Sequence, residues 1–257
     1  MIIDFHSHIM PSFDDGAKDA AMSIEMLVKS LDQSVDTVVS TSHCYPTSGR
    51  DIDNFIDGRR AAYVQLKDAV SERGIRIPEV VAGAEVHLSC DLTRLRGIDR
   101  LCIYGTNYML VEMPSSKWTD ETIDRVYKLS ISGIKPIIAH IERNLIQDKE
   151  LLNSLYMLDV LFQVNTESFC MPVFRKFIKK MMKDKLIHII GTDMHNLDKR
   201  PPNMCKAQRA ITKTYGQECW EYFMSNARTV LSGRELSYRD FRSFSTKSIF
   251  RNDRFNK

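Results

Sequence analysis

The chain has 257 residues, 43% of them hydrophobic, and a formal charge of +3 at neutral pH. That is enough apolar material for one large core, and no apolar run approaches the roughly 18 residues of a membrane-crossing helix. The charge is uneven: residues 238–257 carry six Lys/Arg against two Asp, a net +4, and leave the first 237 residues near −1, which argues against a nucleic-acid groove through the folded part. The expected division is a single domain over 1–237 followed by a basic tail, 238–257. The start, MIIDFHSHIMPSFDD, does not read as a secretory signal, and the six cysteines (Cys44, Cys90, Cys102, Cys170, Cys205, Cys219) form no C-x-x-C pair. They are expected to be reduced thiols in the cytoplasm.

In chain order, MIIDFHSH (1–8) reads as a short buried strand ending in His6 and His8. Two residues apart on a strand, these side chains share one side, a common grip on a metal ion. Asp14 and Asp15 follow in the loop PSFDDGA; Asp4, on the side of His6, is either a supporting carboxylate of the site or simply a buried, paired one. Residues 17–34 predict a helix, with Ile24, Leu27, Val28 and Leu31 at i, i+3, i+4 and i+7. The second strand, DTVVSTSH, ends in His43; the third, PEVVAGAEVH, reaches Glu85; the fourth, YMLVEMP, reaches Glu112. A helix is predicted from TDETIDRVYKL, with Thr119 and Asp120 as capping residues and Ile123, Val126 and Tyr127 on one face. The fifth strand, KPIIAHIER, ends in His140, with Arg143 three residues on. The sixth, LFQVNTES, offers no ligand. The seventh, LIHIIGTDMHN, ends in Asp193 and His195, with Arg200 five residues past His195; His188, at its other end, reads as structural.

Strand–helix alternation with buried strands implies a parallel sheet. One His or Glu at a strand end means little. Such residues at six of seven strand ends converge on one face only if the sheet closes, whereas an open sheet would spread them apart. The expected fold class is therefore α/β, a barrel. Five His and four carboxylates without a thiolate suit Mn, Fe or Zn in a hydrolytic centre, and the arginine forks beside them match phosphate oxygens. Residues 43–50, HCYPTSGR, also match the Cys-x5-Arg outline of a cysteine-phosphatase loop. The match is short, Pro46 removes one of the backbone N–H groups such a loop needs, and Asp51 follows the arginine. Cys44 is expected to be a bystander, and His43 the working residue.

The motifs DFHSH, TSH, GAEV, VEMP, IAHIER and GTDMHNLDKRPPNM resemble the polymerase-and-histidinol-phosphatase (PHP) superfamily over residues 1–232. Within it they are most similar to the bacterial manganese-dependent tyrosine-protein phosphatases of capsule and exopolysaccharide loci. The resemblance implies a distorted (β/α)7 TIM-like barrel with three divalent ions, manganese first and iron or zinc as alternatives. It implies that His6, His8, Glu85 and Asp193 hold one ion. Glu85 would bridge to a second, shared with Glu112 and His140, and Asp15, His43 and His195 would hold the third. Three divalent ions against four carboxylates leave about +2, a site that favours an anion. Arg143 and Arg200 correspond to the family's phosphate-binding arginines. The implied reaction is hydrolysis of phosphotyrosine on a partner kinase of polysaccharide export, and histidinol phosphate is the competing substrate within the superfamily.

Asp14 is expected to cap the next helix rather than bind metal. Cys44, Asn144 and His87 depart from the family pattern at the rim, and His87 could point into the site. An amidohydrolase would need a lysine where Glu112 stands, a nuclease is weakened by the near-neutral barrel, and a non-catalytic metal-binding scaffold would show no turnover. Phe241, Phe244, Phe250 and Phe255 in the basic tail suggest docking at the inner face of a membrane or on a partner, against the plainer reading of a disordered end. The oligomeric state is left open.

Overall fold

The β-branched segments form parallel strands, and the 3.6-period segments form helices between them, in a computed structural model that describes residues 1–236. The basic tail, 238–257, lies outside the described residues. In chain order the elements are β1 (Ile2–Ser7), α1 (Ala20–Asp32), β2 (Val35–Ser40), β3 (His43–Cys44), α2 (Gly49–Arg73), β4 (Glu79–Ala82), β5 (Glu85–His87), β6 (Tyr108–Glu112), α3 (Asp120–Ile131), β7 (Lys135–Ile138), α4 (Lys149–Tyr156), β8 (Leu161–Asn165), α5 (Arg175–Lys183), β9 (Ile189–Gly191), α6 (Met204–Tyr215) and α7 (Gln217–Leu231).

Strands β1, β2 and β4 pair in that order, as do β3, β5, β6, β7, β8 and β9. The two sheets make one ring, because β2 runs on into β3 and β4 into β5 after breaks at 41–42 and 83–84. Among the described residues nine strands thus occupy the seven expected positions. The ring closes between β9 and β1. Ser7 bridges Met194, the His8 N–H donates to Met194 O at 2.9 Å, and the Asp193 N–H donates to His6 O at 2.8 Å. The result is a distorted (β/α)7 barrel. Its third crossover departs from the pattern: 3-10 turns at Leu92–Arg94 and Ile98–Leu101 stand where an α-helix would be.

The expected helices are present, with two corrections. Asp19, not Asp14, caps α1, accepting from Met22 N–H at 2.8 Å. On α3, Ile123 and Val126 are buried, while Tyr127, one turn on from Ile123, is 48% exposed at the edge of that face. The cluster of Ile3, Phe5, Val39, Leu110, Ile137 and Ile189 fills the barrel below the ligand-bearing strand ends. Register between β1 and β2 slips between Asp4 and Ser7, the mark of a β-bulge. The bulge lets Phe5 join that cluster while His6, its neighbour, turns to the site. The closing seam is tight: a Cβ on Gly191 would lie 2.5 Å from His6 Cβ and 2.6 Å from His6 N. Among the described residues no helix is long and apolar enough to cross a membrane.

Candidate metal centre

All nine expected ligands meet at the C-terminal mouth of the barrel. Four overlapping groups of donor atoms form there: His8 with Asp15, His43 and His195; His6 with His8 and Asp193; His6 with Glu85 and His140; and His43 with Glu85 and Glu112. His6 Nε2 lies 3.1 Å from both His8 Nε2 and Glu85 Oε2, and Asp193 Oδ1 lies 3.4 Å from each imidazole. Metal–donor bonds of about 2.0–2.2 Å place neighbouring donors about 2.8–3.6 Å apart, so these separations fit a shared cation. Toward Asp15 Oδ1, His43 Nε2 is at 3.5 Å and His195 Nε2 at 3.3 Å. One detail differs from the implied division of ligands. Glu112 stands beside His43, 3.6 Å away, and Glu85, while His140 Nε2 faces the other Glu85 oxygen at 2.7 Å.

Two further observations fit cations. His43 Nδ1, Glu112 Oε2, Asp193 Oδ1 and His195 Nε2 are buried with no hydrogen-bond partner among the described residues. Each faces another donor of the cluster instead, His43 Nδ1 at 3.6 Å from Glu112 Oε2, Asp193 Oδ1 at 3.4 Å from His6 Nε2 and His195 Nε2 at 3.3 Å from Asp15 Oδ1, spacings that leave room for shared ions. Three imidazoles are also held with Nε2 toward the centre. His6 Nδ1 lies 3.2 Å from Gln163 Oε1, His8 Nδ1 lies 2.8 Å from Asp14 Oδ2, and His195 Nδ1 lies 2.9 Å from the Asp193 carbonyl. Each acceptor takes the Nδ1 proton, so that on loss of the second proton Nε2 is left free, the tautomer a metal needs.

Two of the five non-glycine residues with positive φ among the described residues lie here. His140 (φ 29°) and Asp193 (φ 54°) both occupy the left-handed region that non-glycine residues avoid. The His140 N–H is pinned by Gln163 Oε1 at 2.7 Å, and Asp4 fixes the approach to Asp193 by accepting from Thr192 N–H at 2.8 Å. Asp4 is therefore a brace; burial pushes its carboxyl up to about 6.

The electrostatics are those of a crowded donor set. Burial disfavours the charged forms of Glu85 and Asp193, but the imidazoles around them outweigh it and hold both carboxyls well below the usual range. Burial, followed by the Glu85 charge, pushes Glu112 up to about 7. Without cations this cluster balances carboxylates with imidazole protons, and cations would displace those protons.

Arg143 and Arg200 converge from the segments after β7 and β9 on one atom. Arg143 donates to Asp193 Oδ2 at 2.6 Å, and Arg200 pairs with the same oxygen. Both guanidiniums are part-exposed at the mouth, with side-chain exposures of 41% and 31%. The site therefore combines a buried multi-carboxylate, multi-imidazole centre with two open cationic forks, an arrangement suited to a phosphate monoester.

Comparison with known proteins agrees with this geometry. Residues 2–232 match the model of the family described as capsular polysaccharide synthesis, CpsB/CapC. The chain belongs to the CpsB/CapC family. It is 32% identical to the tyrosine-protein phosphatase CpsB of Streptococcus pneumoniae, across 90% of this chain and 98% of that one. It is 28% identical to the tyrosine-protein phosphatase YwqE of Bacillus subtilis, across 91% and 93%. A chain from the crystal structures of YwqE and CpsB, described as unique metal-dependent tyrosine phosphatases, superposes with a TM-score of 0.77 at 26% identity, covering 92% and 96%. An organophosphorus hydrolase from Deinococcus radiodurans shares the fold alone, with a TM-score of 0.53 at 11% identity over 90% and 93%.

In this CpsB/CapC chain the HCYPTSGR stretch is a helix start. Ser48 caps α2, and Asp51 Oδ2 accepts from the N–H groups of Thr47 and Ser48, both at 2.9 Å. An internal carboxylate thus fills the place a phosphate would take. Cys44 is 4% exposed, and burial pushes its thiol up to about 12. His188 is structural, accepting from Phe162 N–H at 2.9 Å, and His87 stands on the rim beside Tyr45.

Sequence reasoning missed three residues of the site. Asp14 orients His8, and it also accepts from Gly16 N–H at 3.0 Å and His43 N–H at 3.1 Å. Gln163 and Asn165 come from the strand that offered no ligand. The Gln163 amide donates to Asn165 Oδ1 at 2.9 Å, and Asn165 donates to Asp193 Oδ2 at 2.8 Å. The signal was present: two amides two apart in an otherwise apolar strand share one face.

Proposed function

We propose that the chain is a metal-dependent protein-tyrosine phosphatase whose catalytic domain spans residues 1–237 and which holds three divalent ions, manganese in the first instance. The observation that carries this reading is the convergence of Arg143 and Arg200 on Asp193 at the edge of the nine-donor cluster. His6, His8, Glu85 and Asp193 would hold one ion, Glu85, Glu112 and His140 a second, and Asp15, His43 and His195 the third. When bound, such ions supply Lewis acidity toward phosphoryl oxygens and a water activated near neutral pH.

The chain's own residues do the rest. Arg143 and Arg200 turn from Asp193 to the phosphoryl oxygens and neutralise charge as it builds in the transition state. Asp14, Gln163 and the Asp193 carbonyl keep three imidazoles in the ligand tautomer. The part-exposed mouth admits a phosphorylated side chain carried on a protein.

Membership in a capsular polysaccharide synthesis family supports a partner kinase of polysaccharide export as the substrate. The basic segment 238–257 would bring the enzyme to the inner face of the membrane where such a kinase sits. The test is turnover of a phosphotyrosyl peptide and of histidinol phosphate, side by side, by the manganese-loaded chain. Preference for the peptide is expected. Preference for histidinol phosphate would make this a small-molecule phosphatase, and turnover of neither would leave a metal-binding scaffold.

A further inference from the structure

Strand alternation builds a second layer of side chains above the donor cluster. His43 pairs in register with Glu85, and His87 pairs with Glu112. Two residues past His43, just beyond the end of β3, comes Tyr45. Its ring lies 5.6 Å from the His43 ring and 5.3 Å from the His87 ring, tilted by 31° and 43°. Cys44, between His43 and Tyr45, points the other way into the core.

Tyr45 is 58% exposed. Its ring contacts among the described residues are the two histidines, and more than half of the side chain is left open to solvent beside the donor cluster. The arginine forks reach Asp193 from the segments after β7 and β9, and β9 is separated from β2 and β3 in the ring only by β1. A phosphate monoester drawn to the arginines and the donor cluster would carry its alcohol side outward past the rim, where Tyr45 stands beside His43.

We infer that Tyr45, backed by His87, is an aromatic shelf that stacks on the aryl group of the bound phosphate ester and selects aryl over alkyl phosphates. Offset or edge-to-face packing with ring centroids about 4.5–7 Å apart is the favoured aromatic geometry, and the exposed Tyr45 side chain allows it. Tyr45 would touch the substrate; His87 would be a positioning residue that holds the Tyr45 ring. The inference rests on the phosphatase reading for its ligand, a phosphate monoester.

Two non-hydrolysable probes test it without turnover: phenylphosphonate and methylphosphonate, titrated by calorimetry into the manganese-loaded full chain. Their affinity ratio isolates the aryl contribution. Tyr45→Leu should lower the phenyl-to-methyl ratio about three- to tenfold, the size of one lost aromatic contact, and Tyr45→Phe should keep it. His87→Leu should give an intermediate ratio. A wild-type ratio in Tyr45→Leu, or an equal fall in Tyr45→Phe, overturns the shelf, and a wild-type ratio in His87→Leu removes His87 from it. The phosphatase reading fails on a different result, absence of turnover of any phosphate monoester by the wild-type chain, and the phosphonate ratio still reports on Tyr45 in that event.

Discussion

Gly191→Ala should damage the barrel seam and the metal centre together. The added Cβ would sit 2.5 Å from His6 Cβ and 2.6 Å from His6 N. Carbon atoms in contact prefer about 3.5–4.0 Å, so the two strands must part by about 1 Å or more. Little can give, because the obstacle is backbone and the strands are tied by the Asp193 N–H to His6 O bond of 2.8 Å and the Ser7–Met194 bridge. Overpacking of this kind costs about 1–3 kcal/mol, which in a domain of this size lowers Tm by about 2–12 °C. A shift of His6 by that distance also breaks its 3.1 Å spacing from His8 and Glu85. The assay has two parts: thermal unfolding in chelator, which reads the seam alone, and manganese content after equilibrium dialysis, which reads the centre. A wild-type Tm in chelator together with full metal content would refute the reasoning.

Asp14→Asn should weaken metal binding about 10–100-fold, read by competition with a chelator, since it removes the charged acceptor on His8 Nδ1. Arg143→Ala and Arg200→Ala should each lower kcat about 100-fold or more with unchanged unfolding temperature, as expected for groups that neutralise charge at the phosphoryl oxygens. Cys44→Ala should retain wild-type phosphotyrosine turnover, and iodoacetamide should not inactivate the folded protein, because this thiol is buried and pushed up to about 12. Stability should also report on His188, which burial holds neutral down to about pH 3 against an ordinary value of 6.5. Between those values the unfolded chain binds the proton and the folded chain does not, so stability falls as pH drops from 6.5. His188→Asn should flatten that slope by up to about 1.4 kcal/mol per pH unit in chemical denaturation with chelator; an unchanged slope would contradict the assignment.

The seven strand positions and eight of the nine donors were legible because those donors end apolar runs, a pattern that survives without knowledge of packing, while Asp15, in the loop PSFDDGA, came from the family resemblance. The breaks at 41–42 and 83–84 were not, since DTVVSTSH and PEVVAGAEVH read as continuous strands. Strict alternation also placed Phe5 opposite His6, and only the β1 bulge brings both to the barrel's inner side. Asp14 read as a helix cap because aspartate before a helix usually is one. Its contact with His8 depends on Gly16 passing so close to His8 that a Cβ there would lie 2.1 Å from the His8 carbonyl oxygen. The positive φ of His140 and Asp193 leaves no trace in local sequence, because long-range partners such as Gln163 hold it. The candidate donors were thus largely readable from residue type and spacing, and what aims them was set by contacts between distant strands.

Metal content and phosphatase activity, measured on the same preparation, test the central claim most directly. The full chain is stripped with chelator, reloaded with manganese, analysed for metal, and assayed on a phosphotyrosyl peptide at each stage. About three equivalents of metal are expected when loaded, with activity abolished by stripping and restored by reloading, and with His43→Ala inactive where Cys44→Ala is not. Full activity in the stripped protein, or activity that follows Cys44 rather than His43, would contradict it.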